Sequence, residues 1–168
     1  MSEPITFTLN GQATQAQPGE TIFQAAQRHG VEIPHLCYAD GLRADGNCRA
    51  CVVEIAGERV LSPSCCRAVT PGMQVQTDSE RALKSQKMVV ELLLSDMPDA
   101  GYHWRDAGQH GELSDWASQL DVTVRPALKA LRRSQPASDL SHPAMAVNLD
   151  ACIQCTRCVR ACREVQVN

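Results

Sequence analysis

Several protein classes are excluded by what this 168-residue sequence does not contain. Sixteen Lys and Arg stand against 19 Asp and Glu, so there is no positive excess and nucleic acid is not an expected partner. The longest apolar run, around residues 88–94, falls far short of the roughly 20 residues that a membrane span needs. The opening MSEPITFTLNG has neither a basic n-region nor an apolar h-region, so no secretion signal is expected and a cytoplasmic location is. A G-x-G-x-x-G fingerprint is absent, which removes the usual nicotinamide or flavin dinucleotide signature. Aromatic residues are scarce at 4%, although the 43% hydrophobic content is ordinary for a globular chain. No cysteine occurs between Cys66 and Cys152.

Against these absences stand nine cysteines. A disulfide framework calls for an oxidising compartment, an even count and usually a shorter chain, so metal binding is the reading left. Cys37, Cys48, Cys51, Cys65 and Cys66 lie in the first third, and Cys152, Cys155, Cys158 and Cys162 lie at the end. That division implies two cofactor modules and a connecting region.

The first segment alternates Ile5, Phe7 and Leu9 with polar residues and ends in Asn10-Gly11, the pattern of a strand entering a hairpin. A second strand is expected at 13–17. Thr21 is placed to cap a helix running through Phe23, Ala26 and Arg28 and stopped by Gly30. Residues 34–47 read as loop. Strands are expected at 51–56 and 59–61, joined by a turn at Gly57, and at 73–77 after Pro71-Gly72. One small sheet on one helix is the economical arrangement, giving an α+β fold. Ser79 should cap a helix to about residue 96, with Leu83, Val90, Leu93, Leu94 and Met97 on one apolar face. Short helices are expected at 112–120 and 127–133, a polar linker at 134–143, and a final helix at 157–165. The expected domains are therefore 1–78, 79–141 and 142–168.

The first group has the spacing C-x10-C-x2-C for Cys37, Cys48 and Cys51, with Cys65 or Cys66 as the fourth ligand. A [2Fe-2S] cluster needs four thiolates and a loop that turns backbone N–H groups toward the sulfurs. The small residues of Ala44-Asp-Gly-Asn-Cys48 permit such a wrap. A zinc ribbon more usually shows two C-x-x-C pairs, and only one occurs in this group. Adjacent residues near a strand end point in opposite directions, so one of Cys65 and Cys66 ligates and the other packs or is exposed. His35, two residues before Cys37, is expected to cap or pack and not to ligate.

The second group, Cys152-x2-Cys155-x2-Cys158-x3-Cys162, is the bacterial ferredoxin run for a [4Fe-4S] cluster. The first three cysteines serve one cubane, and the fourth ligates the other cluster where two are present. No second run precedes Asn168, so this cluster is expected to be incomplete and the chain to be a segment of a larger protein. Arg157, Arg160 and Arg163 recur every three residues. They are expected on a solvated or partner-facing surface; a field raising the cluster potential is the less favoured role.

The motifs Ile33-Pro-His-Leu-Cys37, Gly46-Asn-Cys-Arg-Ala-Cys-Val-Val-Glu54, Ser64-Cys65 and Pro71-Gly-Met73 resemble the N-terminal [2Fe-2S] domain of an oxidoreductase family. It comprises the large iron–sulfur subunit of NADH-quinone oxidoreductase, the diaphorase of NAD-reducing hydrogenase and NAD-dependent formate dehydrogenase. The resemblance implies a β-grasp ferredoxin-like domain, places the fourth ligand at Cys65 and leaves Cys66 spare. Many members carry a second site of one histidine and three cysteines after this domain. The matching stretch, residues 99–113, keeps His103 and His110 but no cysteine, so no cluster is expected there.

Residues 141–168 most resemble the α subunit of NAD-dependent, molybdopterin-containing formate dehydrogenase. That resemblance implies an electron relay with no catalytic residue in this chain. Electrons would pass between a molybdopterin site lying beyond this segment and flavin- and NAD-binding iron–sulfur partner subunits. The alternatives are an iron–sulfur subunit of NADH-quinone oxidoreductase or NAD-reducing hydrogenase, a free-standing ferredoxin-like carrier, and a zinc-binding interaction module.

Overall fold

Strands β1 (Ile5–Leu9) and β2 (Gln12–Ala16) pair antiparallel, with Ile5 opposite Ala16 and Leu9 opposite Gln12. Asn10 and Gly11 turn the chain with φ of 49° and 80°, the two left-handed residues that a two-residue hairpin of this type requires. The structure, a computed structural model, describes residues 3–98, 111–133 and 136–167. Thr21 caps α1 (Ile22–Arg28) through a capping box. Its hydroxyl accepts the Gln24 N–H at 3.3 Å, and its own N–H donates to Gln24 Oε1 at 3.1 Å.

Three further strands complete the sheet: β3 (Val52–Ile55), β4 (Ser62–Pro63) and β5 (Gln74–Gln76), in the order β2-β1-β5-β3-β4. Only β1 and β5 run parallel. The strand expected at 59–61 does not form. Val60 is 62% exposed and has no face to bury, and the chain pairs with β3 one step later, where Pro63 is tolerated because β4 is the sheet edge. Phe7, Leu9, Val53, Ile55 and Val75 share one buried core with Ile22, Phe23, Ala25 and Ala26 of α1. The cysteine loop is the long connection between α1 and β3.

Helix α2 (Glu80–Ser95) starts where Ser79 Oγ accepts the Ala82 N–H at 3.2 Å. Gln86 on this helix is buried to 1% exposure and donates from Nε2 to the carbonyls of Val52, at 3.0 Å, and Thr77, at 3.1 Å. The described chain divides into two compact units, residues 1–86 with 156–168, and residues 87–155. Within the second, α3 (Glu112–Gln119) and α4 (Pro126–Lys129) follow the end of α2. Arg125, at the start of α4, is gripped by Glu91 through its backbone N–H and both ends of its guanidinium, at 2.7–3.0 Å.

Helix α4 is shorter than the 127–133 expected. The expected linker contains a hairpin of β6 (Asp139–His142) and β7 (Met145–Val147), whose residues are all exposed and so carry no alternating apolar pattern. The chain then makes a 3-10 turn at Leu149–Ala151, α5 (Arg157–Arg160) and wider π-type turns over Ala161–Gln166. His103 and His110 lie outside the described residues. No helix among the described residues is long and apolar enough to cross a membrane.

Because Gln86 satisfies two carbonyls with one buried amide, Gln86→Leu should lower stability by about 1–3 kcal/mol. A lower urea midpoint at unchanged slope would show it.

Candidate metal centre

The loop that leaves α1 is anchored at its start by aromatic packing. Phe23 on α1 meets the His35 ring edge-on at 4.7 Å and the Tyr38 ring at 4.6 Å, on either side of Leu36 and Cys37. His35 Nδ1 donates to the Ile33 carbonyl at 3.0 Å, and Tyr38 donates to Asp40 Oδ1 at 3.0 Å. His35 is therefore a packing residue of the loop. Leu36 and Cys37 are fully buried. The loop returns through Gly46 and Arg49, both left-handed at φ 65° and 59°, and delivers Cys48 and Cys51 to the foot of β3.

The strand-end segment carrying Cys65 is brought alongside by Ser64. The Ser64 hydroxyl and N–H both donate to the Cys51 carbonyl, at 2.7 and 3.1 Å. The first N–H groups of α1 have no partner within the helix. Here those of Ile22 and Phe23 bond the carbonyls of Arg67 and Ser64, so the helix start holds the same segment.

Cys37, Cys48, Cys51 and Cys65 are gathered as two pairs. The Cys48 N–H donates to Cys37 Sγ at 3.5 Å. Cys51 and Cys65 form the second pair, joined through Ser64. In each pair one sulfur is driven toward thiolate and the other holds the proton. The neighbouring Cys37 thiol draws Cys48 down to about 6, and the neighbouring Cys65 thiol draws Cys51 down to about 7. Cys37 and Cys65 move up for the same reason, with burial adding to it.

Cys37, Cys51 and Cys65 are buried and Cys48 is half-buried. The donor set suits two irons with two thiolates each, in a pocket that excludes water and aims backbone N–H groups at sulfur. Among the described residues, no three His, Cys, Asp or Glu side chains converge as a single ion would need.

Cys66 is exposed. Its Sγ lies 3.6 Å from that of Cys65 and would stand 3.1 Å from a Cβ added to Gly46. Glycine at 46 thus answers both to its left-handed φ and to this sulfur. Of the second cysteine run, Cys152, Cys158 and Cys162 are exposed and Cys155 is half-buried. Gln154 and Thr156 are left-handed at φ 54° and 61°, an unusual conformation for such residues, and the Gln154 N–H donates to Cys152 Sγ at 3.4 Å.

One residue departs from expectation. Arg160 is not on a solvated face but is 4% exposed, and its guanidinium donates to the carbonyls of Cys37 and Arg43. Three-residue spacing of arginines groups them on one face but does not tell which of them is buried.

Residues 2–80 match the model of the 2Fe-2S iron-sulfur cluster binding domain. The whole chain is 36% identical, over 96% of its length, to the NADP-reducing hydrogenase subunit HndD of Solidesulfovibrio fructosivorans, and it covers 28% of that protein. It is 32% identical, again over 96%, to the mitochondrial NADH-ubiquinone oxidoreductase 78 kDa subunit of Candida albicans, of which it covers 22%. A chain in the crystal structure of an NAD+-reducing [NiFe]-hydrogenase is 31% identical, with a TM-score of 0.78 over 94% of this chain and 65% of that one. The chain thus spans under a third of the length of the curated relatives it matches. Cys37, Cys48, Cys51 and Cys65 all fall within the matched residues.

Two exchanges separate the adjacent cysteines. Cys65→Ser should abolish the [2Fe-2S] EPR signal of anaerobically purified, dithionite-reduced protein, whereas Cys66→Ser should leave it unchanged.

Proposed function

We propose that this chain is an electron-relay segment of an NAD(P)-linked oxidoreductase complex, with Cys37, Cys48, Cys51 and Cys65 as the ligands of a [2Fe-2S] cluster. The observation that carries it is that the Cys48 N–H on Cys37 Sγ and the Ser64 clasp on the Cys51 carbonyl gather these four cysteines, all within residues that match the 2Fe-2S domain model. The cluster, when bound, takes up and gives back one electron at a time. The protein's part is to supply thiolate at neutral pH through Cys48 and Cys51, and to yield the protons of Cys37 and Cys65 to solvent on loading. It also shields the sulfurs with Leu36, Ala50 and Tyr38, all buried. A plant-type centre of this kind works near about −400 mV, in the range of nicotinamide chemistry.

The second cysteine run is proposed to begin a [4Fe-4S] site, with Cys152, Cys155 and Cys158 for one cubane and Cys162 for another cluster. Its support is the spacing, together with left-handed Gln154 and Thr156 and the Gln154 N–H on Cys152 Sγ. Flavin- and NAD-binding iron–sulfur subunits are the proposed partners.

For the parent complex, the relatives are named as hydrogenase and NADH-ubiquinone oxidoreductase subunits, and those identities fit at least as well as formate dehydrogenase. The formate reading, with molybdopterin bound in further domains, has one observation in its favour. The stretch from Cys66 to Cys152 holds no cysteine, where the quinone reductase family commonly carries a histidine and three-cysteine site.

Anaerobic purification tests the relay. Iron and acid-labile sulfide should appear in equal amount at the first site, with an EPR signal that develops on dithionite reduction. Colourless protein carrying stoichiometric zinc would overturn the reading. In the complete complex, hydrogen-driven against formate-driven NAD reduction separates the parent enzymes.

A further inference from the structure

Residues 37–47 contain no strand or helix, so the peptide groups of this loop have no ladder to satisfy them and need partners from elsewhere. Several come from the far end of the sequence. Arg160, on α5 and two residues after Cys158, spreads its guanidinium over the loop. Nη2 donates to the Cys37 carbonyl, Nη1 to the Arg43 carbonyl at 2.5 Å, and Nε to Thr156 Oγ1 at 3.2 Å. Asp45 Oδ2 lies 3.5 Å from Nε. An arginine is rarely buried this fully unless every face of its fork is used, and this one is 4% exposed.

The surrounding residues repeat the link. Asn47 Nδ2 donates to Thr156 Oγ1 at 3.2 Å, and the Arg43 N–H donates to Glu164 Oε2 at 2.9 Å. One stretch of backbone, 156–164, is therefore sewn to one stretch of loop, 37–47, with Arg160 at the centre.

We propose that Arg160 is a positioning residue for the [2Fe-2S] centre, supplied by the second cysteine run: it fixes the loop that carries Cys37 and favours the reduced state of the cluster. This rests on the reading of Cys37 as a ligand. Its two halves have separate physical grounds. The fork fixes Cys37 because it holds the carbonyl of that residue, which is rigidly attached to the Cα that aims the sulfur, and a second carbonyl six residues on. The charge acts because a cation held in a poorly solvated place beside a metal centre stabilises the form with one more electron, and hydrogen bonding near the ligands works in the same direction. Asp45 offsets part of that charge, so the effect is modest.

The test uses the whole chain, purified anaerobically, with Arg160→Gln, Arg160→Lys and, as a control, the exposed Arg163→Gln. Two quantities are read: the reduction potential of the [2Fe-2S] signal by EPR-monitored titration, and amide hydrogen exchange in the metal-free protein. In Arg160→Gln, exchange should quicken together in 37–47 and 156–164. The reduced-to-oxidised ratio at a fixed ambient potential should fall about threefold, equivalent to roughly 30 mV for a one-electron couple.

Arg160→Lys keeps the charge and loses the fork. It should show the faster exchange with a potential close to that of the unaltered protein, and it serves if Arg160→Gln does not load with iron. A potential in Arg160→Gln equal to that of Arg163→Gln, or exchange unchanged in either segment, overturns the proposal. Absence of a [2Fe-2S] signal from the unaltered protein would instead overturn the ligand reading, and the exchange result would still judge the clamp.

Discussion

Everything in the first unit answers to one constraint: an irregular run of backbone must hold three sulfurs still without a helix or strand of its own. Peptide groups taken out of water need hydrogen-bond partners, and regular structure normally supplies them. Between α1 and β3 that supply is missing, and side chains and chain ends replace it. Phe23 fixes the start of the loop through His35 and Tyr38. Ser64 ties the segment carrying Cys65 to the Cys51 carbonyl, and Arg160 takes the carbonyls in the middle. The sheet provides the floor on which this is built, since Cys51 and Cys65 belong to the same buried cluster as Phe7, Val53 and Val75.

Features whose cause is local could be read directly from the sequence. The Asn10-Gly11 hairpin needs two left-handed residues, and few dipeptides supply them. The Thr21 cap and its Gln24 partner form a box set by a spacing of three residues. Cys65 and Cys66 do separate into one buried and one exposed side chain, but in a turn closed by the Cys66 and Arg67 N–H groups on the Pro63 carbonyl and not by the alternation expected of an extended chain. What escaped were features whose cause is distant. The pairing of β3 with Ser62–Pro63, and not with residues 59–61, depends on what lies across the sheet. The β6–β7 hairpin buries nothing, so hydrophobic pattern has no purchase on it. The burial of Arg160 depends on a loop more than a hundred residues earlier in the chain, and nothing in the spacing of Arg157, Arg160 and Arg163 distinguishes the middle one.

Left-handed backbone marks both cysteine groups. Arg49 lies between Cys48 and Cys51, and Gln154 and Thr156 flank Cys155, each with φ between 54° and 61°. Such conformations cost about 1–3 kcal/mol in a residue other than glycine, so the surrounding structure must over-determine them. Their common effect is to reverse the direction of successive N–H groups within a few residues, which is what aiming donors at a sulfur requires. At Cys152 the donor is the N–H of left-handed Gln154 itself. At Cys37 it is the N–H of Cys48, the residue just before left-handed Arg49. Strain and sulfur hydrogen bonding thus occur together at both groups, although one is buried in a core and the other is mostly exposed.

The division of the first four thiols into two pairs bears on the choice between one metal and two. A single tetrahedral ion draws four donors to one point, and each thiol would then neighbour the other three about equally. Here the Cys48 N–H binds Cys37 Sγ, and Ser64 ties the segment carrying Cys65 to the Cys51 carbonyl. A rhomb of two irons and two sulfides has that symmetry, because each iron completes its coordination with two thiolates. The pairing has separate structural causes. The first pair is closed by the loop that Arg160 and Phe23 hold, the second by the edge of the sheet and Ser64. An arrangement assembled from two halves with separate supports fits a dinuclear cluster, and among the described residues no three His, Cys, Asp or Glu side chains come together as a single ion would require.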